Sequence, residues 1–127
     1  MIINLTQHPA TQQQIDAGVV DLEGSDLGML IELLTFTSLP SPVDVESRAE
    51  GLALIMMKFD PDLTNEVSFM VGGAPYLMAE LKGYAPVYKL VFAYSERVSN
   101  EVVNNEGVVV KTNLFKHLGF VPMSASM

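Results

Sequence analysis

Short apolar segments alternate along this chain with segments that carry helix start signals. The apolar runs that predict strands are Ile2 to Leu5, Val19 to Leu22, Val67 to Val71, Val87 to Ala93 and Val108 to Val121. Residues 11–17, 26–34, 42–58 and 76–82 carry helical periodicity or helix caps. The alternation predicts an α/β fold, with a Rossmann-like, mainly parallel sheet flanked by helices. The length of 127 residues predicts one domain, residues 1–127.

Two helix starts are specific enough to predict individual hydrogen bonds. Thr11 and Gln14 fit a capping box, and Gly18 suits the position just after that short helix. Ser41 suits an N-cap and Pro42 the first helical position, where its missing N–H costs nothing.

The end of the chain predicts a C-terminal antiparallel β-hairpin. The sequence Asn104-Asn105-Glu106-Gly107 supplies turn chemistry between two apolar runs. If Val103 faces Val108, the register places Tyr94 opposite His117, Ser95 opposite Lys116 and Arg97 opposite Leu114.

Two polar or glycine-rich segments follow predicted parallel strands. They are Thr6-Gln7-His8 and Gly72-Gly73-Ala74-Pro75-Tyr76. Ligands of open α/β sheets bind beyond the carboxyl ends of the strands, so we expect Thr6, Gln7, His8, Gly72, Gly73, Ala74 and Tyr76 to bind a ligand. Paired glycines let backbone N–H groups approach an anion, although Pro75 removes one donor. The alternative is a tight turn that requires positive φ. Neither GxGxxG nor GxxxxGK[ST] is present.

The hairpin contributes the remaining candidate residues. Arg97 and Lys116, together with Ser95, could contact a phosphate, and Lys111 could stabilise charge in phosphodiester cleavage with His8 as general base. The alternatives are an incidental histidine and an exposed hairpin face with solvated charges. The two histidines lack metal-ligand spacing, so no metal and no cofactor is predicted.

Charge and composition narrow the classes of partner. The net charge of −8 argues against non-specific nucleic-acid binding. Residues 1–81 hold twelve of the fifteen acids but only Arg48 and Lys58, a balance of −10, whereas residues 82–127 have a balance of +2. No run is long enough to cross a bilayer, the N-terminus has no signal-peptide pattern, and cysteine is absent. A cytoplasmic location and no membrane partner are expected.

Four pieces of the sequence carry a resemblance: NLTQHPAT, MVGGAPYLM, VFAYSERVSNE and VVVKTNLFKHLGFV. Across nearly the whole chain they resemble small phage- and prophage-type proteins of unknown function. More distantly the chain resembles the CARF (CRISPR-associated Rossmann fold) superfamily, notably its stand-alone ring nucleases. The corresponding places are Thr6-Gln7-His8, Gly72-Gly73, Ser95-Glu96-Arg97 and Phe115-Lys116-His117. The CARF resemblance implies a homodimer that binds a cyclic oligonucleotide across its two-fold axis and sequesters it or cleaves it without a metal.

Two hypotheses of function follow. The first is binding of a nucleotide second messenger of the cyclic oligonucleotide class, with or without metal-independent phosphodiester cleavage. The second is a protein-interaction module of phage type whose acidic helical face binds a basic partner. A cleft that joins the two loops to the basic side chains favours the first. Basic residues scattered away from those loops, together with a flat acidic face that has apolar edges, favour the second.

Overall fold

The computed structural model of the protein describes residues 1–123, where five strands and four helices form a mixed α/β fold. The strands are β1 (Ile2–Leu5), β2 (Val19–Asp21), β3 (Ser68–Val71), β4 (Lys89–Val103) and β5 (Val109–Pro122). The helices are α1 (Gln12–Asp16), α2 (Gly24–Leu34), α3 (Pro42–Phe59) and α4 (Pro75–Leu81). No helix in this described part is both long and apolar enough to cross a membrane.

The five strands form one mostly parallel sheet in the order β2-β1-β3-β4-β5. β1 pairs in parallel with both β2 and β3, and β3 pairs in parallel with β4. β5 is antiparallel to β4 and closes the sheet as the predicted C-terminal hairpin. The chain passes from β1 to β2 on one side and then crosses over to β3 on the other, so the sheet changes winding direction between β1 and β3.

The larger core lies between the sheet and helices α2, α3 and α4. It contains inward side chains of the central strands, such as Leu5, Phe69 and Leu90, packed against apolar helix residues. The predicted apolar side of α3 is confirmed, because Val45, Ala49, Leu52, Ile55 and Met56 are all buried. The opposite face of the sheet has a smaller cluster of Val19, Met70 and Val91, with Phe120 packed against it. Burial on both faces explains why the central strands read as continuous apolar runs.

The predicted helix caps form the expected hydrogen bonds. Thr11 and Gln14 make a reciprocal capping box, and Gly18 follows the helix with φ of +104°. The Ser41 hydroxyl accepts the Asp44 N–H at 3.1 Å, with Pro42 in the first turn. Helix α4 ends at Leu81, one residue before the predicted end at Lys82, and continues into a 3-10 turn, Lys82–Tyr84.

The predicted hairpin register is wrong by one residue. Val103 faces Val109, Ser95 faces His117 and Arg97 faces Phe115, while Tyr94 faces Gly119 across a register shift. The cause is the turn: the Asn104 N–H donates to the Val108 carbonyl, which leaves the three-residue loop 105–107. Gly107 has φ of +76°, as such loops require at their last position. Val108 therefore pairs with Asn104 rather than with Val103, and every facing pair beyond it shifts.

Candidate functional site

An open cleft of about 480 Å³ lies at the point where the sheet changes winding direction. Its walls come from the loop after β1, the end of β3 and the loop after it, the start of α1 and the first third of β4. The residues that line it are Thr6, Gln7, His8, Pro9, Thr11, Gln14, Met70, Val71, Gly72, Gly73, Phe92 and Ala93. In sheets with this strand order, ligands bind where the loops leaving β1 and β3 diverge. The cleft occupies that place.

A buried side chain holds the loop after β1 in position. Asn4 is only 3% exposed although it is polar. Its Oδ1 atom accepts the Thr6 N–H at 2.9 Å and lies 2.7 Å from the Thr6 hydroxyl oxygen. Its Nδ2 group donates to the His8 carbonyl at 2.9 Å and to Asp21 at 2.7 Å. One amide thus fixes both ends of the Thr6-Gln7-His8 segment.

Asp21 extends the same network from the neighbouring strand. It lies at the end of β2, and its carboxylate accepts the Asn4 amide and the Ala10 N–H, the latter at 3.0 Å. Because Ala10 stands just before α1, this contact links the cleft wall to the start of that helix. Asn4 and Asp21 therefore position the wall of the cleft, and neither was predicted as a site residue. The only signal in the sequence is one asparagine within an otherwise apolar strand.

The polar groups of the β1 loop differ in what they already contact. The Thr6 hydroxyl lies near two oxygen atoms, Asn4 Oδ1 and the His8 carbonyl oxygen at 3.1 Å, and retains lone pairs that can accept from a ligand. The Gln7 amide donates to the Thr35 hydroxyl at 3.1 Å. His8 is exposed at the rim. The cleft is thus lined by neutral donors and acceptors.

The two glycines form the facing wall, and steric necessity does not explain Gly72. A Cβ atom built on Gly72 would lie 3.5 Å from Thr6 Cγ2, which is ordinary van der Waals contact. Gly73 has φ of +159°, a positive value that residues with a side chain rarely adopt. The alternative, a tight turn that requires positive φ, therefore accounts for Gly73 but not for Gly72. The absence of side chains leaves the backbone bare toward the cleft.

The structure places the remaining predicted residues outside the cleft lining. Ala74 is the N-cap residue of α4, and the Tyr76 ring packs edge-on against Phe36 at 5.1 Å. Ser95, Arg97, Lys111 and Lys116 all lie on the protruding part of the β4–β5 hairpin. Lys111 faces Glu101, eight residues beyond Ala93, which corresponds to about 26 Å of strand. Within one chain Lys111 and His8 are therefore far apart.

Within the described residues 1–123, the cleft lining contains no lysine or arginine. Two cations of the helical layer make contacts within the fold. Arg48 donates to the Glu32, Leu33 and Thr35 carbonyl groups at the end of α2, and Lys58 pairs with Asp26 at 2.6 Å. In residues 1–123 no group of three His, Cys, Asp or Glu side chains is arranged to hold a metal ion.

Fold and cleft together define the class: an α/β protein with a candidate ligand site at the switch point of a five-stranded sheet. The chain belongs to the uncharacterized protein MJ1673 family, whose sequence profile matches residues 1–121. No curated protein and no solved structure gives a significant match.

Proposed function

We propose that the protein binds a nucleotide in the cleft at the switch point of a Rossmann-like sheet. The observation that carries this proposal is the meeting of the Thr6-Gln7-His8 and Gly72-Gly73 segments in one cleft. Within one chain the basic side chains of the hairpin do not join that cleft, so the proposal rests on the two loops alone. The volume of about 480 Å³ falls within the range of about 300–1,000 Å³ that is usual for ligand sites. A cytoplasmic location is part of the proposal.

The chemistry of the lining supports recognition of bases and sugars. Thr6 and Gln14 present a hydroxyl and an amide, groups that pair with base edges and ribose hydroxyls. Met70 and Phe92 add apolar surface against which a base can pack. The bare backbone at Gly72 allows a phosphate or sugar to approach closely. The cyclic oligonucleotide class is the ligand class that the CARF resemblance implies.

The distance between the two proposed catalytic residues, His8 and Lys111, favours binding over cleavage within this proposal. Metal-independent cleavage needs a general base within hydrogen-bond reach of its target and a group that stabilises the developing charge. His8 lies at the cleft, but Lys111 is about 26 Å away along β4. A single chain thus brings at most one of the two proposed catalytic groups to a ligand. We propose that the protein sequesters its nucleotide.

A thermal-shift screen against linear and cyclic nucleotides tests the proposal. A ligand present at a hundred times its Kd adds about 2.7 kcal/mol of stability, which raises the Tm of a domain of this size by roughly 10 °C. Gly72→Val fills the cleft wall beside Thr6 and should abolish the shift. Gly28→Ala is the matched control, because Gly28 lies exposed in α2 with no atom near its Cβ position.

The outcomes separate the possibilities. No shift with any nucleotide at millimolar concentration would overturn the proposal, as would a shift that Gly72→Val leaves unchanged. If a nucleotide binds, chromatography of the incubated mixture distinguishes sequestration from cleavage. Recovery of intact ligand is expected.

A second proposal is that the acidic helical face binds a basic protein. The observation in its favour is that Arg48 and Lys58 are both engaged within the fold, so the acids around them dominate the outer face. Calorimetric titration with an oligolysine peptide tests it. Binding that weakens as salt is raised would support this function, and absence of binding at low salt would exclude it.

A further inference from the structure

The β4–β5 hairpin extends beyond the rest of the fold as a two-stranded ribbon. We call residues 95–118 the ribbon arm. Every side chain of the arm whose burial is described is exposed, except that of His117. At its base the His117 N–H donates to Gln13 of α1 at 2.7 Å. Two-stranded hairpins in water are marginally stable without a further partner, so an arm this long is a surface that a partner would stabilise.

The register divides the arm into two unlike faces. One face, which we call the apolar face, carries the facing pairs Val98–Leu114 and Val102–Val110, with the charged pair Glu96–Lys116 nearer the base of the arm. Val98 is 37% exposed, Leu114 55%, Val102 55% and Val110 43%. Over residues 98–102 and 110–114, the other face carries the charged pair Glu101–Lys111, whereas the apolar face carries no charged residue. Covering the apolar face over this stretch therefore costs less charge solvation.

We propose that the apolar face packs against the same face of a second copy of this chain. Charge supports this choice of partner. The arm contains three acids and three bases and is neutral, whereas the rest of the chain carries the whole net charge of −8. The arm is thus the part of the molecule where two copies meet without repulsion. This inference does not depend on what the cleft binds.

The register is also self-complementary. A two-fold axis through the facing pair Asn100–Thr112 places Val98 of one copy over Val102 of the other, and Leu114 over Val110. The same operation sets Glu96 over Asn104 and Lys116 over Val108, so no like charges meet. This antiparallel arrangement sends the two acidic bodies to opposite ends of the arms. Their separation of roughly 30 Å exceeds the screening length at physiological salt.

The area indicates a dissociable dimer. Covering the four apolar side chains removes roughly 300 Å² per copy from water, compared with about 800 Å² per partner in a standard interface. We therefore expect a monomer–dimer equilibrium that depends on protein concentration in the micromolar range.

Sedimentation of the full chain from about 1 to 500 µM tests the proposal with two adjacent valines. Val102→Asp places a charge on the apolar face, and Val103→Asp places the same charge on the opposite face at a site that is 64% exposed. The wild type should dimerise as concentration rises. Val102→Asp should raise the dimer Kd at least tenfold, and Val103→Asp should change it less than threefold. Far-UV circular dichroism checks that both variants stay folded.

A wild-type chain that stays monomeric throughout overturns the proposal, and so does a dimer that Val102→Asp does not weaken. Loss of the dimer in both folded variants also overturns it, because that result indicates pairing through the strand edges.

Cross-linking gives an independent readout, since the chain has no cysteine. Face-to-face sheets lie about 10 Å apart, so Thr112→Cys at the two-fold axis should link two copies through a short bismaleimide. Lys111→Cys, on the other face, should link at least fivefold less. Equal yields at the two positions would contradict the assigned face.

Discussion

Replacing Asn4 by alanine should unfold the wall of the cleft before it unfolds the protein. The buried Asn4 amide contacts the Thr6 N–H, the Thr6 hydroxyl, the His8 carbonyl and the Asp21 carboxylate. Alanine removes all four contacts and leaves the Thr6 N–H and the Asp21 carboxylate without that partner. The Thr6-Gln7-His8 segment then loses its only described side-chain anchor in the core.

The magnitude follows from these contacts. A neutral hydrogen bond contributes about 1 kcal/mol net, and one to a charged group about 1.5–3 kcal/mol. Because the loop lies at the surface, water replaces some of the lost partners. The expected loss is about 3 kcal/mol, a large part of the 5–15 kcal/mol that stabilises a typical domain. Urea unfolding followed by circular dichroism measures it.

Asn4→Asp distinguishes this account from simple loss of packing. The two side chains have nearly the same shape, but the new carboxylate oxygen would face Asp21 Oδ1 at 2.7 Å and the His8 carbonyl at 2.9 Å. Like charge and burial raise the folded-state pKa of the introduced carboxyl above its unfolded value. The stabilising protonated form is then present at low pH and lost as pH rises through that raised pKa. The variant should therefore be less stable than wild type at pH 7 and recover as pH falls toward 5.

Two results would refute the reasoning. One is an Asn4→Ala variant that loses less than about 1 kcal/mol, because then the network does not hold the loop. The other is an Asn4→Asp variant whose stability relative to wild type does not change with pH.

Three further predictions concern stability. Gly28→Ala should raise the free energy of unfolding by about 0.5–1 kcal/mol, since Gly28 is an exposed helical glycine with open space at its Cβ position; a loss in urea unfolding would contradict this. Ser41→Ala should cost about 1 kcal/mol through loss of the α3 cap, whereas Ser47→Ala in the exposed middle of the same helix should not; equal effects would show that the cap is irrelevant. Burial raises the pKa of the Tyr84 phenol above its ordinary value of 10, and Glu50 and Glu80 raise it further. The neutral phenol thus contributes stability that is present below pH 10 and lost as pH rises through the raised pKa. Tyr84→Phe should therefore flatten the loss of stability above pH 10, and an unchanged pH profile would argue against it.

Local chemistry made much of the fold predictable. The caps at Thr11 and Ser41 formed as predicted because each depends on residues no more than three positions apart. The apolar side of α3 was predictable for the same reason, since helical spacing alone decides which side chains share a face. The position of the cleft could also be predicted from the sequence, because it depends on which segments follow the carboxyl ends of parallel strands.

The hairpin register shows where sequence reasoning stopped. Turn residues at 104–107 predicted a hairpin, but a three-residue and a four-residue loop are both compatible with them. The choice depends on whether Val108 pairs with Asn104, a decision made by backbone hydrogen bonds. One residue of difference moves Arg97 from Leu114 to Phe115 and reassigns every facing pair.

The sequence by itself determined the order of strands and helices, their caps and the two loops that can meet a ligand, because these depend on local spacing. Only the tertiary structure decided that Asn4 and Asp21 hold the cleft and that Arg97, Lys111 and Lys116 stand on a separate arm. Asn4 and Asp21 are seventeen positions apart and meet because β1 pairs with β2. Contacts between distant positions depend on strand pairing and register, and no short stretch of sequence encodes them.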